Sequence, residues 1–211
     1  MKIPLEVVMQ QLHDSNQATL ASLSLTLPGY PFASALPFAV DQDQCPIFLI
    51  SRLAEHTRNL LADERASLLI QAGEHPEPEA AARLTLMGEA RAFDISPELY
   101  QRFLRYQPGA ERYRALGDFG FFRLVPRRIR LIAGFGQMGW VEADEWREVR
   151  SLSLESENQL LLQARPQRGL IGIDCYGVDL IEDGKRSRLG FGRAVSEAQL
   201  PEVLRDLDLL A

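Results

Sequence analysis

The sequence predicts a mainly β protein with some helix: an antiparallel barrel followed by a small α+β unit. Three observations predict it. Strand-like segments recur between residues 19 and 135, separated by turns and only short helical stretches, the pattern of a closed or nearly closed antiparallel barrel. The composition then changes near Asp144, and from Leu170 three further strand-like segments precede an amphipathic helix. Finally, 211 residues are enough for a medium domain plus a small one, each burying a core without staples. The boundary is placed at 145/146, giving units 1–145 and 146–211.

Taken in order, Glu6 to His13 has Val7, Val8 and Leu12 at helical spacing, suited to covering a barrel end. Thr19 to Leu27 alternates, with Ala21, Leu23, Leu25 and Leu27 on one face and Ser22, Ser24 and Thr26 on the other, which reads as a half-buried strand. Pro28-Gly29-Tyr30-Pro31 turns the chain into a strand over Phe32 to Val40. Both faces of that strand are apolar or small, so both require cover: the core on one side and a helix, ligand or second subunit on the other. A turn at Asp41 to Gln44, a strand at Ile47 to Ser51 and a short helix follow.

Ala66 to Ala72 is a further strand, and Gly73 to Glu79 is an acidic, proline-rich hairpin tip. Arg83 to Phe93 resumes strand character. Ser96-Pro97 supplies a cap and a first-turn proline for a helix carrying Leu99, Phe103 and Tyr106 on one face. Phe119 to Leu124 and Arg128 to Phe135 are the last two strands of the barrel, with Arg128 and Arg130 outward and Ile129 and Leu131 inward. In the second unit, Leu170 to Asp174, Val178 to Ile181 and Arg188 to Phe191 are strands. Ser196 and Gln199 form a capping box ahead of Leu200, Val203, Leu204 and Leu207.

The chemistry concentrates in Phe32 to Asn59. Ser51, Thr57 and Asn59 can donate to an anion, Arg58 can pair with it, and His56 can donate or titrate, all at the start of a helix whose free N–H groups attract negative charge. Helix capping with Arg58 in solvent accounts for the same residues equally well. Gly134 to Trp140 forms a glycine loop that permits close backbone approach, with Trp140 offering a flat face and an N–H donor. That loop suits a planar heteroaromatic ligand, and it suits plain core packing too. Arg123, Arg127, Arg128 and Arg130 read first as a solvated strand face.

Other classes are disfavoured. A net charge of -6 argues against general nucleic-acid binding. With 46% hydrophobic residues, no apolar run approaches the roughly twenty residues of a membrane span. The N-terminus has no cleavage signal, so a cytoplasmic protein without membrane contact is expected. His13, His56 and His75 have no metal-ligand spacing, and Cys45 and Cys175 have no paired one, so no metal is expected. No catalytic residue is identified, since neither a nucleophile elbow nor a P-loop is visible.

Ala21-Ser22-Leu23, Tyr30 to Ser34, Leu49 to Leu60 and Ala66 to Leu69 together resemble the FMN-binding split barrels related to pyridoxamine 5'-phosphate oxidase. Within them the likeness is to the haem-utilisation branch. Gly134-Phe135-Gly136 with Trp140 is similar to that branch's barrel-closing loop, and Ile173 to Leu180 with Arg188 to Phe191 is similar to its small C-terminal domain.

The resemblance implies a six- to eight-stranded split barrel and a homodimer with cofactor sites at the interface. FMN phosphate would lie near Ser51, Arg52, His56, Thr57, Arg58 and Asn59, and the flavin along Phe32, Ala33 and Ser34. Gln137 and Trp140 would reach it from a neighbouring chain. Two departures stand out: Glu55 and His56 replace the adjacent Arg and Lys of the oxidases, and Leu152 to Arg165 lacks the His of the branch's C-terminal helix. The leading expectation is an FMN-dependent oxidoreductase acting on a small planar or heterocyclic substrate. The alternatives are a haem-binding or haem-utilisation protein, and a cofactor-free dimeric module.

Overall fold

The computed structural model describes residues 3–71, 81–133 and 138–210. The first part of the chain runs α1 (Leu5–His13), β1 (Gln17–Leu23), β2 (Pro31–Pro37), β3 (Ala39–Val40), β4 (Pro46–Ser51), α2 (Glu55–Ala62), β5 (Arg65–Gln71) and β6 (Arg83–Phe93). Next come α3 (Pro97–Tyr106), α4 (Glu111–Arg114), β7 (Phe119–Ile132), β8 (Met138–Glu142) and α5 (Ala143–Arg147). These strands form one eight-stranded sheet in the order β2-β1-β5-β6-β7-β4-β3, with β8 also paired to β7, and every pairing is antiparallel. The sheet curls until β2 and β4 approach each other, yet the two are not hydrogen-bonded neighbours. That unpaired seam is the split of the barrel.

The remainder is α6 (Leu154–Leu162), β9 (Leu170–Asp174), β10 (Gly177–Glu182), β11 (Lys185–Gly190) and α7 (Leu200–Asp206), with a three-stranded sheet in the order β11-β10-β9. Side chains from α1, the barrel interior and this second sheet meet in one buried cluster that includes Val8, Leu12, Leu20, Leu86, Val178 and Leu204. A second cluster clothes the outside of β4, where Ile47 and Leu49 pack under Tyr100 and Phe103 of α3. Strand β4 is therefore buried on both faces, the arrangement that a continuous apolar run demands. Among the described residues, no helix is long and apolar enough to cross a membrane.

Several boundaries differ from the sequence reading. Strand β1 ends at Leu23, and its inward face is Ala18, Leu20 and Ser22; Leu25 and Leu27 are more than half exposed. The apolar alternation pointed to the wrong face, because Asn59 supplies a partner that lets Ser22 be buried. The strand expected over Phe32 to Val40 breaks at Phe38 into β2 and β3, which pair with different neighbours. The two strands expected between Phe119 and Phe135 are one, β7, passing through Pro126.

Pro126 lies opposite Gly88 at a register shift between Met87 and Gly88, a bulge that tolerates a residue without an N–H. A Cβ at Gly88 would sit 2.0 Å from the Val125 carbonyl oxygen, so only glycine fits there. Strand β8, with Trp140, was not foreseen. The helix cap at Ser96 and the capping box of Ser196 and Gln199 are present as read. The acidic tip at 73–79 with His75, and the loop 134–137 with Gln137, lie outside the described residues.

Candidate functional site

The polar block at the start of α2 turns inward. Thr57 and Asn59 are buried, whereas Arg58 and Leu61 of the same helix are exposed. Thr57 Oγ1 donates to the Ser51 carbonyl at 2.6 Å, and Ser51 Oγ donates to Asp118 at 2.9 Å while accepting from the Leu53 N–H at 3.2 Å. Asn59 donates to Ser22 Oγ and accepts from the Leu25 N–H. These three side chains are thus engaged in joining α2 to β4, β1 and the loop before β7. Arg52 and Arg58 are exposed, and among the described residues neither side chain makes a hydrogen bond or ion pair.

His56 differs from its neighbours. Its Nε2 is buried and has no partner among the described residues. Burial lowers its pKa below the usual histidine value, favouring the neutral imidazole, which can act as a lone-pair donor. His56 lines a cleft of about 420 Å³ at the split, between β2 (Ala35 to Pro37), β4 (Leu49 to Ser51), the end of α3 and the segment carrying α4. This volume is within the ~300–1,000 Å³ of small-molecule sites.

The walls of the cleft are apolar and aromatic. Tyr113 and Phe119 stack with centroids 4.9 Å apart, and the Arg112 guanidinium lies 4.7 Å above the Tyr113 ring, extending a flat stack along one side. Gln107 braces the opposite end, donating to the Phe38 carbonyl at 2.7 Å and the Asn16 carbonyl at 3.0 Å. A histidine whose pKa burial lowers, a flat aromatic surface and an exposed cation together can hold a planar, carboxylate-bearing ligand. A larger cavity, about 490 Å³, lies beyond Phe119 and carries Arg52 and Thr57, but no histidine.

The remaining expected residues are distributed around the barrel. Phe32 and Ser34 face inward on β2, the Ser34 hydroxyl buried without a partner among the described residues, whereas Ala33 faces outward and is exposed. Trp140 lies on the outer face of β8, with the Arg128 and Arg130 guanidinium carbons 4.0 and 5.0 Å from its ring. Arg123 is paired with Asp41 and Asp43, Arg127 with Glu89 and Arg128 with Glu142. Arg112, Tyr113 and Phe119 were missed by sequence reasoning. Only the Gln107-Pro108-Gly109 break hinted that the chain doubles back there.

A second constellation joins the two sheets. Asp179, fully buried, accepts from Tyr106 Oη at 2.8 Å and Arg188 at 3.2 Å and faces His13 Nδ1 at 3.1 Å. Asp174 holds Arg188 at 2.9 Å with both oxygens. Burial alone would raise the Asp179 pKa, but Arg188 and then His13 outweigh it and hold the carboxyl well below its usual range. His13, Asp174 and Asp179 lie close enough to share a cation, and Arg188 already fills that role. Gly172 makes room for the network: a Cβ there would lie 1.7 Å from Tyr106 Oη.

In comparison with known proteins, residues 7–148 match the family described as CREG, beta-barrel. A chloroplastic heme oxygenase, HOZ, of Arabidopsis thaliana is 35% identical over 133 residues, 62% of this chain and 40% of that protein. The match thus spans less than half the length of that relative. Heme oxygenase HutZ of Vibrio cholerae is 29% identical over 134 residues, 60% of this chain and 76% of that protein. Among solved structures, a heme binding protein from Mycobacterium smegmatis superimposes with a TM-score of 0.64 at 27% identity, covering 98% of this chain and 97% of that one.

Proposed function

The chain belongs to the CREG β-barrel family, and from that premise we propose that it binds haem in the cleft at the barrel split. The observation that carries the reading is His56, which lines an aromatic cleft, whose Nε2 is buried without a partner among the described residues, and whose pKa burial lowers toward the neutral form. Haem fits these residues: His56 would offer a nitrogen to the iron, the Tyr113–Phe119 stack a flat apolar contact, and Arg112 a cation for a propionate. The bound iron would supply the redox and oxygen chemistry. The chain's own share is to hold and orient the ring, keep water from the nitrogen and neutralise a carboxylate. Haem-related relatives support this ligand over FMN.

FMN is the second reading. It draws on the first turn of α2, which has no side-chain cap and leaves backbone N–H groups for a phosphate, with Arg52 and Arg58 as cations nearby. Against it, Ser51, Thr57 and Asn59 are already bonded within the protein.

A homodimer is part of the proposal. The outer face of the barrel sheet carries Ala33 and Ala35 of β2, Ala21 of β1, Leu69 of β5 and Met87 of β6, interleaved with Thr19, Ser67 and Thr85, and it ends at Arg128, Arg130 and Trp140. A face of small and apolar side chains with hydroxyls between them and charges at its rim suits a second copy.

Titration of the purified protein with hemin tests the ligand. A Soret band that grows to saturation is expected, with affinity reduced tenfold or more in His56→Ala, a loss of about 1.4 kcal/mol or greater. No Soret change, together with quenching of FMN fluorescence on addition of protein, would replace haem by FMN. A Soret change untouched by His56→Ala would remove His56 as the ligand.

A further inference from the structure

Strand β6 pairs with β7 as far as Phe93 opposite Phe121 and then leaves the sheet, while β7 runs on to Phe119. Where the two part, a cavity of about 490 Å³ opens. The register decides how the last main-chain groups of β7 point. The Asp118 carbonyl accepts from the Arg52 N–H at 2.7 Å, on the β4 side, so by the alternation of an antiparallel strand the N–H and C=O of Phe119 point to the opposite side, which β6 has left. Among the described residues neither group has a hydrogen-bond partner. A main-chain donor and a main-chain acceptor are thus presented together at the edge of the cavity.

Two opposite charges line the same cavity without meeting. Arg52 and Asp94 are both on its wall and, among the described residues, the side chain of neither makes an ion pair or a hydrogen bond. Nearby charges are engaged elsewhere: Asp118 accepts from Ser51 Oγ at 2.9 Å, Glu55 accepts from Thr26, and Arg123 bridges Asp41 and Asp43 in the hollow that adjoins Asp94. The Asp94 end is therefore acidic on balance, and Arg52 is the cation at the other. Arg52 Nε lies 4.0 Å from where a Gly120 Cβ would stand, which sets this side chain beside the main chain of residues 119 and 120. The wall between the charges is aromatic, with Phe93 and Phe121 edge to face at 6.2 Å and Phe119 alongside.

We propose that this cavity binds a free α-amino acid with an apolar side chain. The carboxylate would meet Arg52 and the Phe119 N–H, the ammonium group would meet Asp94 and the Phe119 carbonyl, and the side chain would lie on the aromatic wall. The charges select a zwitterion. A simple anion would leave Asp94 and the carbonyl facing it, and a simple cation would leave Arg52 facing it, each an unfavourable pairing. The end of a longer peptide carries only one of the two charges and fails on the same ground. The cavity shares Phe119 alone with the cleft that holds His56, so this site stands apart from the haem assignment.

The test is isothermal calorimetry of the full chain, without haem, against L-phenylalanine, N-acetyl-L-phenylalanine and L-phenylalaninamide. Saturable binding of one L-phenylalanine per chain is expected. Acetylation removes the ammonium charge and amidation the carboxylate, so each capped form is expected to bind at least tenfold more weakly. The same loss is expected for L-phenylalanine in Arg52→Gln and in Asp94→Asn, both at exposed positions, with an unchanged thermal midpoint in Asp94→Asn showing that the variant is folded. Because hemin takes no part, failure of the haem assignment would leave this result readable. No saturable heat with L-phenylalanine would overturn the proposal. So would a capped form that binds as well as the free amino acid, or binding untouched by both substitutions.

Discussion

Asn59 on α2 donates from Nδ2 to the buried Ser22 Oγ of β1 at 3.1 Å, and its Oδ1 accepts from the Leu25 N–H at 3.0 Å. One amide thereby fixes both the inward face of β1 and the start of the turn beyond it. In Asn59→Ala, Ser22 Oγ and the Leu25 N–H lose their partner, which is expected to cost about 1–3 kcal/mol of unfolding free energy in a denaturant titration. Hemin affinity is expected to stay unchanged. A phosphate-binding role for Asn59 would show the reverse, lost FMN affinity at constant stability.

Haem affinity should depend on pH through His56. The folded-state pKa is depressed below 6.5 because burial disfavours the imidazolium, so the ligand nitrogen remains available down to and past that pH. The Soret titration is expected to hold from pH 8 to 6.5 and to weaken only at lower pH. The same depression means that the unfolded chain binds a proton more readily, so stability declines as pH falls below 6.5. His56→Gln is expected to remove that part of the decline.

The Asp179 network predicts a second acid dependence. Its folded pKa lies below 3.8, so its contribution is fully present above the unfolded value and is lost as pH falls through and below 3.8. Asp179→Asn would leave Arg188 short of one carboxylate in a buried site. A loss of ~3–5 kcal/mol at neutral pH is expected, with a flatter acid limb of the stability curve.

Gly88→Ala tests the bulge. The added Cβ would meet backbone, 2.0 Å from the Val125 oxygen, and no side chain can swing aside to relieve it. A loss of about 1–3 kcal/mol or more is expected by thermal unfolding. Gly109→Ala, where nothing lies within 4 Å of the new Cβ, is the control and should leave Tm within a degree or two, about what a few tenths of a kcal/mol would move it.

Local chemistry made parts of the fold legible. The cap at Ser96, the box at Ser196 and Gln199, the turn before β4 and the inward Ile129 and Leu131 all follow from interactions within a few residues, and each is present. The β1 faces were misread because the partner of Ser22 lies 37 residues away. Pro126 suggested a break because the bulge that accommodates it is made by Gly88 on another strand.

The candidate site divides in the same way. The sequence by itself marked His56 and its hydroxyl and amide neighbours as a polar group at the start of a helix, and determined that strands would form a barrel around an apolar interior. Only the tertiary structure decided which of those groups were left over. Ser51, Thr57 and Asn59 found partners across the fold while His56 Nε2 has none among the described residues, and Arg112, Tyr113 and Phe119 came to its cleft from sixty residues downstream or thereabouts. Residue type and spacing fix what a side chain can bond to. Whether that capacity remains free depends on which distant segment the closed sheet brings beside it.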